Sequence, residues 1–203
     1  HAIHGFLNQS DEFVDKIYHR EEDINNVSHA ITDYLVKSNQ LSLPLADQKI
    51  LGSMFYVVND IERIGDHAEN FADFTKTEIK HNTGLTGDSK EEIKKMYTAV
   101  SRLLKLSLEC FMEQDGVNKP EDKLAEIAIL EASIDKMERR YQKHHIKRLA
   151  KGECEPRAGL LFSDMLSELE RIADHSVNIA YSMSDEDEDE MLAAENEALA
   201  TKN

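Results

Sequence analysis

Apolar and small residues recur along this chain in a 3-4-3-4 rhythm. From Leu51 the positions Leu51, Met54, Val58, Ile61, Gly65, Ala68, Ala72, Thr75 and Ile79 keep that spacing without a break. This is the mark of a long helix with one apolar seam. A second such seam runs through Gly159, Phe162, Leu166, Leu169, Ala173, Ser176, Ala180 and Met183. Phe13, Ile17, Ile24, Val27, Ile31 and Tyr34 predict a helix within about 10–39, and Ile127, Leu130, Ile134, Met137 and Tyr141 one within about 120–151. Between the pairs, Ile93, Met96, Val100, Leu103, Leu104 and Phe111 predict a helix over about 88–115.

The breaks fall where helices should end. Pro44 and Pro120 suit helix starts, where a missing N–H removes no hydrogen bond. Asp88 or Ser89, ahead of Glu91 and Glu92, reads as an N-cap with acids in the first turn. Gly84, Gly87, Gly116 and Gly152 punctuate the connections. Long helices with short loops predict an all-α bundle.

The chain also repeats. ERIGDHAEN at Glu62–Asn70 and ERIADHSVN at Glu170–Asn178 agree at six of nine positions. The helices before them match at an offset near 110, pairing Glu21–Asn25 with Glu131–Asp135. A duplicated helical unit follows. The second unit, 88–183, reads as three helices. The first, 1–87, shows two, with residues 1–7 as the stub of a leading helix. Most of that helix is expected upstream of His1 or from another chain, so an unpaired apolar groove should favour a partner, a second copy of the chain included.

Charge narrows the function. Forty acids against 24 bases give a net charge of −16, which repels phosphodiester backbones and argues against nucleic acid as a partner. After Ser184, eight acids and one lysine leave net −7, so −9 remains on residues 1–184. The run Asp185–Glu190 and its surroundings (184–203) read as a solvated acidic tail, with attraction of a basic partner as the alternative. Cys110 and Cys154 form no disulfide framework, as expected in a reducing compartment. The longest apolar run, Ile50–Val58, is about half of a membrane span.

The chemistry lies in the acids of the repeat. Glu62 and Asp66, Glu170 and Asp174, and Glu131 and Asp135 are each four residues apart, on one face of a helix. At an effective dielectric near 20, two carboxylates about 5–6 Å apart repel by roughly 3 kcal/mol. Either a cation neutralises them, or some are protonated, or they do not converge. Small seam residues beside them (Gly65, Ala68, Ala173, Ser176) let helices approach or leave room for a cofactor. All-oxygen ligands favour hard cations such as Mg, Mn, Ca or iron over zinc. His67 and His175 lie off the acid face and are expected to be hydrogen-bond partners rather than ligands.

The repeated ERIxDHxxN, with an acid pair on the preceding helix, resembles the PhoU family of phosphate-uptake regulators. The resemblance covers about residues 10–183. It implies a PhoU-like bundle of two tandem three-helix units, and multivalent metal ions as cofactors, multinuclear iron clusters among them. Carried over by position, Glu131, Asp135, Glu170 and Asp174 would hold the second-unit metal. Glu21, Glu62 and Asp66 would hold the first, with Asn25 in place of the usual acid; Asp60 and Glu168 occupy matching positions and would add oxygens. The segment KGECEPRAGLLF, running into SDMLSELERIADHSVNIA, is similar to the soluble C-terminal PhoU-like region of bacterial Na+/phosphate cotransporter-like proteins.

The resemblance thus implies a non-enzymatic regulatory or adaptor domain at the cytoplasmic face, tethered by an upstream transporter. Its partners would be a membrane transporter region or a phosphate-signalling protein. Two other classes remain. A ferritin-like di-iron enzyme needs Glu-x-x-His on two helices, and the chain has that spacing only at Glu78–His81. A metal-free structural interaction bundle would leave the acid pairs as ordinary surface features.

Overall fold

The computed structural model describes residues 2–7, 10–81, 84–113 and 120–183. Among these the chain is all helix: α1 (Ala2–Leu7), α2 (Val14–Ser38), α3 (Leu45–His81), α4 (Gly87–Glu113), α5 (Glu121–Ala150) and α6 (Pro156–Tyr181). The expected break at Gly116 and the acidic tail lie outside the described residues.

Local chemistry accounts for most boundaries. Pro44 precedes α3, and its carbonyl accepts the Gln48 N–H. Pro120 stands at the N-cap of α5, and Pro156 opens α6. Gly152, at φ +70°, adopts the left-handed turn that closes α5, with the Glu153 N–H returning to the Arg148 carbonyl. At α4 the expected cap is displaced: Thr86 Oγ1 accepts the Ser89 N–H at 3.2 Å, so capping starts two or three residues earlier than Asp88 or Ser89.

Helices α3 and α6 pack together and form the spine. Helix α2 lies on α3, while α4 and α5 lie on α6 and on each other. One core joins α3 to α6, with Phe71, Ile93, Met96, Leu103, Ile127, Ile134, Phe162, Leu166 and Leu169 at its centre; Ile3 and Phe6 of α1 plug its end. The α6 seam is buried from Gly159 to Ala180.

The two halves bury their seams unequally. On α2, Val27, Ile31 and Tyr34 are exposed, and Met54 and Ile79 of α3 are partly so, although the periodicity marks all five as core-facing. The reason lies in what covers them. In the second half α4 lies across α6, whereas on α3 the equivalent place holds only the six residues of α1. What remains is an apolar trough. One cavity of about 310 Å³ is lined by Ile17, Ile24, Gly65, Ala68 and Leu169, and another of about 310 Å³ follows Val27, Ile31, Val58 and Ile61. Among the described residues, no helix is long and apolar enough to cross a membrane.

Candidate functional site

Asp60, His67 and Asn70 are spaced seven and three apart, so they share one face of α3; Glu168, His175 and Asn178 do the same on α6. The spine turns these faces toward each other. His67 Nδ1 lies 2.6 Å from Glu168 Oε2, and the Asn70 amide donates to the same oxygen at 2.9 Å. Reciprocally, His175 Nδ1 lies 2.8 Å from Asp60 Oδ1, and Asn178 reaches that oxygen at 3.5 Å. The two imidazoles stack between these bonds, with centroids 5.4 Å apart and planes 24° apart.

This double clasp explains two of the six identities in the repeat, the His and the Asn. The sequence places Asp60 and Glu168 at matching positions and reads the histidines as hydrogen-bond partners, and the structure makes them so. What sequence reasoning missed is that each repeat serves the other's acid. The face-sharing spacing of acid, His and Asn carried that signal.

The second-unit acids meet across α5 and α6. Burial, followed by the charges of Asp135 and Asp174, pushes the Glu131 carboxyl up from its ordinary range. Burial, then Asp174, Glu138 and Asp135, raises Glu170. Asp174 rises through burial and Asp135, with His175 pulling the other way. Asp135 also receives Arg139 at 3.5 Å. Burial is the largest cause of each of these shifts, and the neighbouring acids add to it.

In the first unit, Glu21 accepts a short hydrogen bond from the Asn25 amide on its own helix. Glu62 and Asp66 are half-buried on α3, one turn apart. Glu69, absent from the sequence-based set, is pushed up by burial and then by Glu21, Asp73 and Asp66. The acid patch here is therefore Glu21, Asp66, Glu69 and Asp73, held between α2 and α3. The close approach expected of Gly65 is real: a Cβ there would sit 3.3 Å from Ile24 Cδ1.

The expectation of multivalent metal ions, iron clusters included, is corrected by this geometry. Among the described residues no three His, Cys, Asp or Glu side chains are placed to hold a metal ion. Asp60 and Glu168 already accept donors from the facing helix, and Glu21 is turned to Asn25. Burial first, then neighbouring acids, raises the pKa of Glu131, Glu170 and Asp174. The residues present do not fit the expected cofactor.

A further polar cluster was not anticipated. Glu92 of α4 accepts His144 at 2.6 Å and Arg148 at 2.8 Å from α5. His145 beside them is buried against Gly159, and burial, then the Arg148 charge, lowers its pKa.

With that geometry in place, the comparisons can be read. A family model described as the PhoU domain matches residues 1–75 and 93–183. The Synechocystis phosphate-specific transport system accessory protein PhoU homolog is 28% identical over 175 residues, covering 83% of this chain and 72% of that protein. Its Thermotoga maritima counterpart, PhoU homolog 1, is 21% identical, covering 88% and 74%. The crystal structure of PhoU from Pseudomonas aeruginosa superposes with a TM-score of 0.79 at 21% identity, over 90% of this chain and 84% of that one. The PhoU structure from Streptococcus pneumoniae gives 0.76 at 22% identity, over 90% and 82%. These two likenesses establish the fold.

Proposed function

The chain belongs to the PhoU family of non-catalytic regulators, and on that premise we propose that it is an accessory of phosphate uptake acting through its surfaces. The observation that carries this reading is the reciprocal clasp. The His and Asn of the sequence repeat are engaged in holding α3 against α6, while its Glu and Asp stay on the outer faces, where other proteins can reach them.

Two kinds of outer face suit such contact. The acid patch at Glu131, Asp135, Glu170 and Asp174, and its counterpart around Glu21, Glu62 and Asp66, present clustered carboxyl groups, and burial followed by neighbouring acids raises the pKa of Glu131, Glu170 and Asp174. A partner bearing Lys or Arg would offset the repulsion within these clusters. The apolar trough along α2 and α3 suits a helix laid parallel to α3, as α4 lies on α6. In this reading residues 1–87 form an incomplete unit, 88–183 a complete one, and 184–203 a tail. The third helix of the first unit comes from elsewhere in the assembly, a second copy or a membrane transporter of phosphate. The similarity over Lys151–Ala180 to Na+/phosphate cotransporter-like proteins makes a tethered position at the cytoplasmic face the specific form of that proposal.

The test is genetic and biochemical together. Cells lacking this chain should take up phosphate without restraint or without normal adjustment to supply, and the intact chain should restore it. Capture from detergent-solubilised membranes should recover a phosphate transporter, and whether that transporter is sodium-coupled decides the tethered form. Uptake identical with and without the chain would refute the proposal.

A further inference from the structure

A chain of net charge −16 carries one conspicuously basic surface. Between α4 and α5 runs a groove of about 500 Å³ whose rims bear Lys94, Lys95, Arg102 and Arg140 against a single acid, Glu91, over a floor that includes Ala99 and Met137. Arg102 is already paired with Glu126. Lys94 and Lys95 are exposed and make no ion pair among the described residues. Arg140 donates only to the Tyr141 hydroxyl, at 3.2 Å, with its guanidinium over that ring. Among the described residues, Lys94, Lys95 and Arg140 in this concave place have no carboxylate partner.

The chain itself contains the complementary charge. Asp185–Glu190 is six consecutive carboxylates. The run lies outside the described residues, but its point of departure does not. Helix α6 ends at Tyr181, whose hydroxyl donates to the Leu124 carbonyl at 3.3 Å, so the chain leaves beside the first turn of α5. From Leu124 to Arg140 is about 24 Å along α5 at the helical rise per residue. An extended chain covers about 13 Å from Tyr181 to Asp185 and about 30 Å to Glu190. At full extension the run is long enough to span the groove along α5.

We propose that the α4–α5 groove is a docking surface for a carboxylate-rich segment, and that its occupant is this chain's own Asp185–Glu190. So short a tether gives an effective concentration on the order of millimolar, so individually weak pairs suffice to favour the docked form at low salt. An acidic partner segment would have to displace the run to reach the same lysines.

Zero-length carbodiimide coupling of the full chain tests this, using an equal mixture of isotopically light and heavy protein. At about 20 mM salt, amide bonds should join the Lys94 or Lys95 amine to carboxylates of 185–190 within single chains. At about 0.5 M salt, where screening acts within a few ångströms, their yield should fall several-fold. Bonds joining light to heavy chains would overturn the proposal in favour of a second copy, and absent or salt-insensitive coupling would overturn it outright. A second measurement uses a fluorescent Asp-Glu hexapeptide. The full chain with D185N, E186Q, D187N, E188Q, D189N and E190Q should bind it several-fold more tightly than the native chain does. Adding Lys94→Gln, Lys95→Gln and Arg140→Gln should abolish that gain. Equal binding by the native and neutralised chains would refute occupancy by the run. Capture of the native chain on anionic phospholipid vesicles through the same lysines would assign the surface to a membrane instead.

Discussion

Truncating Glu168 to alanine should be among the most damaging changes to this bundle that leaves the apolar core intact. The carboxylate accepts from both His67 and Asn70, and the His67 and Glu168 side chains are only 11% and 14% exposed. Hydrogen bonds to a charged group contribute about 1.5–3 kcal/mol each, and removing the acceptor also strands two donors in the seam. Allowing for water entering the partly open edge, the net loss should be about 3 kcal/mol, or roughly 6–12 °C in Tm for a chain of this size. Urea unfolding monitored by circular dichroism measures it directly. The sharper test is a double-mutant cycle of Glu168→Ala with His67→Ala. Coupling of about 1.5 kcal/mol is expected there and at Asp60 with His175, against less than about 0.5 kcal/mol for the exposed Arg102–Glu126 pair. Clasp coupling no larger than that of the surface pair would refute the claim that these bonds hold the halves together.

Glycine substitutions should separate two kinds of close approach. A Cβ at Gly159 would run into the ring of the buried His145, so Gly159→Ala should cost about 1–3 kcal/mol in thermal unfolding. At Gly65 the obstacle is the terminal methyl of Ile24, which can move, and the gain in helix propensity of up to about 1 kcal/mol should leave Gly65→Ala near neutral. The acid patch has a definite pH signature. Because Glu170 is raised in the folded state, by burial first and then by Asp174, Glu138 and Asp135, its contribution is fully present below the unfolded carboxyl pKa of about 4.3. That contribution is lost as pH rises through the folded value. Glu170→Gln should therefore stabilise the protein at pH 7.5 relative to the native chain, and the advantage should vanish near pH 4. An unchanged difference across that range would contradict the reading. Since the acids are not placed to hold a metal, exhaustive chelation should leave Tm unaltered, as scanning calorimetry with and without chelator would record.

The all-helical class, the five long helices and the duplication are properties of the linear chain. A 3-4 rhythm can be buried only by a helix, and Pro44, Pro120, Pro156 and Gly152 act on the backbone within one turn of themselves. The seam of α6 matched its pattern because other helices cover it. The seams of α2 and α3 did not, since periodicity says which face is apolar and nothing about what lies over it; Val27, Ile31 and Met54 are exposed for that reason. The acids show the same division. Their four-residue spacing announced mutual repulsion, and three remedies were open: an ion, a proton, or separation. Only the packing of α5 on α6 and of α3 on α6 chose between them. It buried Glu131, Glu170 and Asp174 in part and beside Asp135, which raises their pKa, and it turned Asp60 and Glu168 to the histidines of the opposite repeat. A side chain's neighbours on its own helix are set by spacing. Its neighbours across a helix interface depend on rotation and register, which the whole core decides at once.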